Sequence, residues 1–218
     1  MKDEKKEAAY HEAGHAVLIL HYGHEVKRIE ISMNVDASRW DGKTQRVPKN
    51  SQITFDIFNP DMSLFLQECA IAFGGCLSQC KFLSRQVCPD TQFATDQAWE
   101  PLFEWMRHKE PETLDDFLIK CSTADSRPVI VPASPRSFAG ADRTVFLRIL
   151  NRLTNSPLTL AEILRGLQDE VTSAMNHLDT PMAWSTVIAL AEALNAQSDN
   201  APPALEGDEL RAVLRSVR

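Results

Sequence analysis

The chain has 218 residues, 44% of them hydrophobic and 24% charged, with a formal net charge of -7. That is an ordinary globular composition, long enough for one good core or at most two small ones. No basic stripe offsets the negative balance, which speaks against a nucleic-acid or anionic-membrane binder.

No apolar run approaches the roughly 18–20 residues that a membrane-spanning helix needs, and no apolar segment precedes the first predicted helix. A cytoplasmic protein is therefore expected. Five cysteines, Cys69, Cys76, Cys80, Cys88 and Cys121, make an odd number that suits a reducing compartment better than a disulfide framework. Cys69, Cys76 and Cys80 fall on one side of a helix without the paired CxxC spacing of a zinc module, so they are expected to pack as small hydrophobes.

The first element, "EKKEAAYHEAGHAVLILHYG", reads as an amphipathic helix rich in Ala and Leu and closed by Gly23. Within it stands His11-Glu12-Ala13-Gly14-His15. Histidines four apart share one helix face with Cβ atoms roughly 5–6 Å apart. Both imidazoles can then reach one metal ion at Zn–N distances of about 2.0–2.1 Å. Glu12 projects beside such an ion, placed to take a proton from a water there, the general-base role in an HExxH motif.

After Gly23 the pattern changes to alternation. "EVKRIEIS", with Val26, Ile29 and Ile31 apolar, predicts a half-buried strand, and "KTQRVP" after Asp41-Gly42 a short partner. The segment "DMSLFLQECAIAFGGCLSQCKFL" returns to helical spacing, capped by Asp61 or Ser63, with Phe65, Leu66, Ala70, Phe73 and Leu77 as its apolar face. Gly74-Gly75 inside it costs about 2 kcal/mol of helix propensity, so close approach of another element is expected there. "CPDTQFATDQAWEPLFEWMRH" reads as a loop entering a helix, and "RPVIVPASPRS" is the clearest loop of the chain. The remainder is helical: "DRTVFLRILNRL", a helix from the Thr159–Glu162 capping box to about His177, another restarting at Thr180-Pro181, and a short last one near Gly207-Asp208. The fold class expected is mainly α (α+β): one domain over 1–218, with a metal-site half (1–110), a loop-rich connector (111–141) and a C-terminal helical half (142–218).

A catalytic zinc normally takes three protein ligands and keeps one position open. His21 has the spacing of a metzincin third ligand, but Leu18 stands where that signature has its helix-breaking glycine. An unbroken helix turns His21 away, so it is expected only to favour the helix macrodipole. Asp96, in the first turn of a predicted helix, is a candidate third ligand; Asp90, Glu68 and Glu100 remain as alternatives.

At this point the sequence resembles a known family. "AAYHEAGHAV" is similar to the zinc motif of the FtsH-type AAA+ proteases. In order, "VKRIEIS" with "RVP" resembles the family's β-hairpin, "CAIAFGGCLSQ" its Gly-Gly helix, "FATDQAW" its aspartate-bearing helix start, and "LQDEVTSAMNHL", "VIALAEALNA" and "LEGDELRAVL" its closing helices. The resemblance implies a helical FtsH-type peptidase domain with Zn2+ held by His11, His15 and Asp96, and Glu12 as base. It further implies an edge strand by the site that holds an extended peptide by β-augmentation, assigned to residues 29–33 with Ile29 and Ile31 as substrate-binding positions. It also implies ring-like homo-oligomers. The chain departs from the family at Cys76 and at Ser78-Gln79, where an Arg and an Ala-Glu pair are usual, and lacks a Walker A GxxxxGK[ST] pattern. The expectation is a zinc metalloendopeptidase acting on flexible or unfolded polypeptides, ATP-independent on its own or served by a separate ATPase. The competing readings are a catalytically silent zinc-binding relative and a metal-free helical interaction module.

Overall fold

A computed structural model describes residues 2–35, 39–47, 62–87 and 160–217. Along the chain these form α1 (Lys2–His21), β1 (Val26–Asn34), β2 (Arg39–Arg46), α2 (Met62–Val87), α3 (Leu160–Asp179), α4 (Pro181–Ala196), β3 (Ala204–Glu206) and α5 (Gly207–Ser216). The described part is thus mainly helical with a three-stranded antiparallel sheet in the order β2-β1-β3. Asp90, Asp96, Glu100, Cys88 and Cys121, the connector 111–141, the helix expected at "DRTVFLRILNRL" and Thr159, the first residue of the capping box, lie outside the residues described.

Helix α1 is the centre of the molecule. It packs against α2, α4 and the sheet, and between Ala8 and Ile19 every residue except His11 is buried. It is therefore not the one-faced amphipathic helix its charged start suggests. Ala8, Ala9, Ala13 and Ala16 are small enough to let neighbours in on every side, and a helix apolar all round is a buried one. Its end is a Schellman motif: Gly23 at φ 73°, with Gly23 N–H donating to Leu20 O and His24 N–H to Ile19 O, each at 3.0 Å.

Strand β1 pairs with β2 over its length, Ile31 opposite Gly42 and Met33 opposite Trp40. A bulge between Val26 and Arg28 moves the strand half a period, so Val26 shares the buried face with Ile29 and Ile31. β2 is longer than sequence periodicity predicts. It begins at Arg39, so Asp41-Gly42 lies inside a strand and not in the turn before it.

On the other edge of β1, residues 204–206 return to pair with 28–30, and Ile31 N–H donates to Pro203 O at 2.9 Å. This makes β1 the middle strand. Ile29, Ile31 and Leu205 are all fully buried, which corrects the edge-strand assignment of Ile29 and Ile31.

Two buried lysines tie the helices together at their carboxyl ends, where partial negative charge collects. Lys5 Nζ donates to Asn195 O at 3.1 Å and Gln197 O at 2.8 Å, and pairs with Asp199 at 2.5 Å. Lys81 Nζ donates to Leu178 O at 2.9 Å and pairs with Asp179. Helix α4 starts as its sequence predicts, with Pro181 in the first turn and the Thr180 hydroxyl accepting from Ala183 N–H at 3.3 Å. Among the described residues no helix is long and apolar enough to cross a membrane.

Candidate metal centre

The site lies where α2 crosses α1. Gly14 and Gly74 make the crossing: a Cβ at Gly14 would stand 2.2 Å from Gly74 O, and one at Gly74 would stand 3.0 Å from Gly14 O. Backbone meets backbone here, which only glycine allows. Gly75 then faces the two histidines, and a Cβ on it would lie 2.4 Å from both His11 Nε2 and His15 Nε2. The Gly-Gly pair thus admits the neighbouring helix and leaves room in front of two ring nitrogens at once.

Those nitrogens converge. His11 Nε2 and His15 Nε2 are 3.2 Å apart, with the rings edge-on at 78°. Each Nδ1 is held from behind, His15 Nδ1 at 2.7 Å from Ile71 O and His11 Nδ1 at 3.2 Å from Gln79 Oε1. Carbonyl and amide oxygens only accept, so both Nδ1 atoms carry the hydrogen and both Nε2 atoms carry a lone pair. At that separation both nitrogens can face one small cation. Two donors about 2.0–2.1 Å from a tetrahedral zinc stand about 3.3–3.4 Å apart, so the observed spacing fits the ion. The backing of each imidazole by an oxygen is also the usual outer shell of a metal-bound histidine.

Glu12 completes the group: ligand atoms of His11, Glu12 and His15 lie within 4.8 Å of one another, and among the described residues this is the metal-compatible cluster. Glu12 is 5% exposed, under β2. A Cβ at Gly42 would come within 2.3 Å of Glu12 Cγ, which explains a glycine in mid-strand. The neighbouring Thr44 Oγ1 lies 2.8 Å from Glu12 Oε2 and 3.0 Å from Glu12 O. The hydroxyl donates to either and fixes the side chain beside the histidines.

Two other candidates among the described residues, Glu68 and His21, go elsewhere. Glu68 is paired with Arg46. His21 is exposed at the end of α1, its ring stacked on His177 with centroids 3.8 Å apart. Burial and the neighbouring His21 charge hold the His177 pKa below the usual histidine range. Cys69 and Cys80 are buried, and burial pushes the Cys69 thiol up. Cys80 is raised by a hydrogen bond to Cys76 and by burial. Both are poor nucleophiles, in keeping with packing.

Sequence reasoning did not find Gln79, Thr44 or Gly42. Only Gln79 left a trace, standing four residues after Gly75 and so on the same face of α2. Compared with known proteins, the sequence matches no family model, and no curated protein matches it.

Proposed function

We propose that the chain is a zinc-dependent metalloendopeptidase of HExxH type, built as an FtsH-type peptidase domain, that hydrolyses flexible or unfolded polypeptides. The observation that supports it best is the 3.2 Å convergence of His11 and His15 Nε2, with both Nδ1 atoms engaged, beside a buried Glu12. His11 and His15 would hold the ion, with Asp96 as the third ligand.

Bound there, zinc would supply Lewis acidity, lowering the pKa of a water toward about 7 and polarising the scissile carbonyl. The Glu12 carboxylate, steadied by Thr44, takes the proton from the attacking water and returns it to the leaving amine. Burial keeps bulk water from competing for that proton. An extended substrate would add to β2. Among the described residues β2 is paired on one side, with β1, and it crosses Glu12 at Gly42. β-Augmentation there gives main-chain hydrogen bonds without demanding a sequence, which suits unfolded substrates. On this reading the protein is cytoplasmic, works without ATP on its own, and takes folded substrates only from a separate ATPase; homo-oligomers are part of the same proposal.

Glu12→Gln tests it. Zinc content should persist while cleavage of a fluorescein-labelled unfolded polypeptide falls by at least about 100-fold, the usual scale of a lost general base. Equal cleavage by wild type and variant would sink the enzyme reading.

A further inference from the structure

Gln79 is 1% exposed and its amide is used at both ends. Nε2 donates to Glu7 Oε2 at 3.1 Å, and Oε1 lies 3.2 Å from His11 Nδ1. An ionised carboxylate only accepts, so Glu7 decides which end of the amide turns toward it. The other end is then an oxygen, and it faces His11.

His15 needs no such arrangement. Its Nδ1 is held by the backbone carbonyl of Ile71, which cannot turn over inside a helix. A side-chain amide can. Rotated by half a turn, Gln79 would present Nε2 hydrogens to His11 Nδ1 and drive the ring hydrogen to Nε2, the atom that faces His15.

We propose that Glu7 and Gln79 form a tautomer-setting relay. Glu7 locks the amide, and the amide keeps the hydrogen of His11 on Nδ1, so the Nε2 lone pair is ready for a ligand role before any ion arrives. Gln79 and Glu7 are positioning residues, acting through His11 and touching no substrate. The functional weight of the relay rests on the reading of His11 as a metal ligand; the tautomer itself does not.

The test reads the tautomer first. In metal-free protein held above the histidine pKa, ¹H–¹⁵N correlation of the His11 ring should show hydrogen on Nδ1. Glu7→Gln removes the acceptor-only group, leaves both amides free to turn, and should shift hydrogen toward Nε2. Glu7→Ala, at a half-buried helix position, should do the same if Glu7→Gln folds poorly. The exchange Glu7→Gln with Gln79→Glu puts the carboxylate against His11 with its own amide donor behind it, and should restore the Nδ1–H form. Zinc titration should follow: about 10–100-fold weaker binding in the single variants, as for other outer-shell losses, and recovery in the exchange. An unchanged His11 tautomer in Glu7→Gln or Glu7→Ala would overturn the relay. A tautomer that responds as described in a protein that binds no zinc would uphold the relay and remove the metal reading.

Discussion

Helix α1 takes part in two histidine pairs, one within it and one with His177 of α3, and their geometries differ. His11 and His15 meet edge-on, with Nε2 atoms converging to 3.2 Å and each Nδ1 anchored by an oxygen. His21 and His177 lie face to face, interplanar angle 21°, so that their ring nitrogens run side by side and their lone pairs do not meet. The residue type is the same; the surroundings differ. At the first pair α2 supplies Gly75, Gln79 and the Ile71 carbonyl. At the second, two helix ends come together, where Tyr22 also donates to Glu170 at 2.7 Å. Backing groups and open space, more than the histidines themselves, separate the candidate metal site from the helix clasp.

The sharpest way to break the contrast is Gly75→Ala. Its methyl group would stand 2.4 Å from both Nε2 atoms. Zinc affinity should fall by more than the roughly 100-fold ceiling of an outer-shell change, with overpacking costing about 1–3 kcal/mol of stability. Zinc titration and a thermal melt measure the two, and full affinity in the variant would show that the nitrogens do not share an ion there.

Thr44→Val comes next. It keeps the shape and deletes the hydroxyl donor to Glu12. Losing one hydrogen bond to a charged group, about 1.5–3 kcal/mol, should lower peptide cleavage at least about tenfold with zinc content unchanged. A rate within twofold of wild type would remove Thr44 from the account.

The smallest effect belongs to the clasp. His177 titrates below its ordinary value in the folded chain, whereas the unfolded chain takes up the proton near about 6.5. Folded stability is therefore full above that pH and is lost as pH falls through the lowered value. His177→Gln should flatten this acid-side loss, read from urea midpoints at several pH values, while zinc affinity stays at wild type. Identical slopes in the two proteins would show that the stack carries no such linkage.

How much of this was legible in the sequence follows the range of each interaction. His11, Glu12 and His15 lie within one helical turn and a half, so their shared face is dictated by spacing alone. With Leu18 in place of a glycine α1 runs unbroken, and His21 stands at its far end. Gly74-Gly75 announced a close approach, because nothing else excuses two glycines in mid-helix.

The partners did not show. Gln79 is 68 positions from His11 and Thr44 is 32 from Glu12, and no local pattern fixes such pairings. The error over β1 has the same origin. Ala204-Leu205-Glu206 is too short and too weak in β propensity to read as a strand, yet its pairing turns β1 from an edge into the centre. Gly42 misled for a different reason: it is a glycine because Glu12 passes beneath it, and the sequence alone suggested a turn.

On the proposed function His11 and His15 share one zinc ion. Anomalous diffraction at the zinc absorption edge tests it most directly. A shared ion requires a single peak about 2.0–2.1 Å from both Nε2 atoms, with a third protein ligand at Asp96 and Glu12 outside the coordination sphere. A folded, zinc-equilibrated protein with no anomalous peak between His11 and His15, or with its zinc elsewhere, would contradict it.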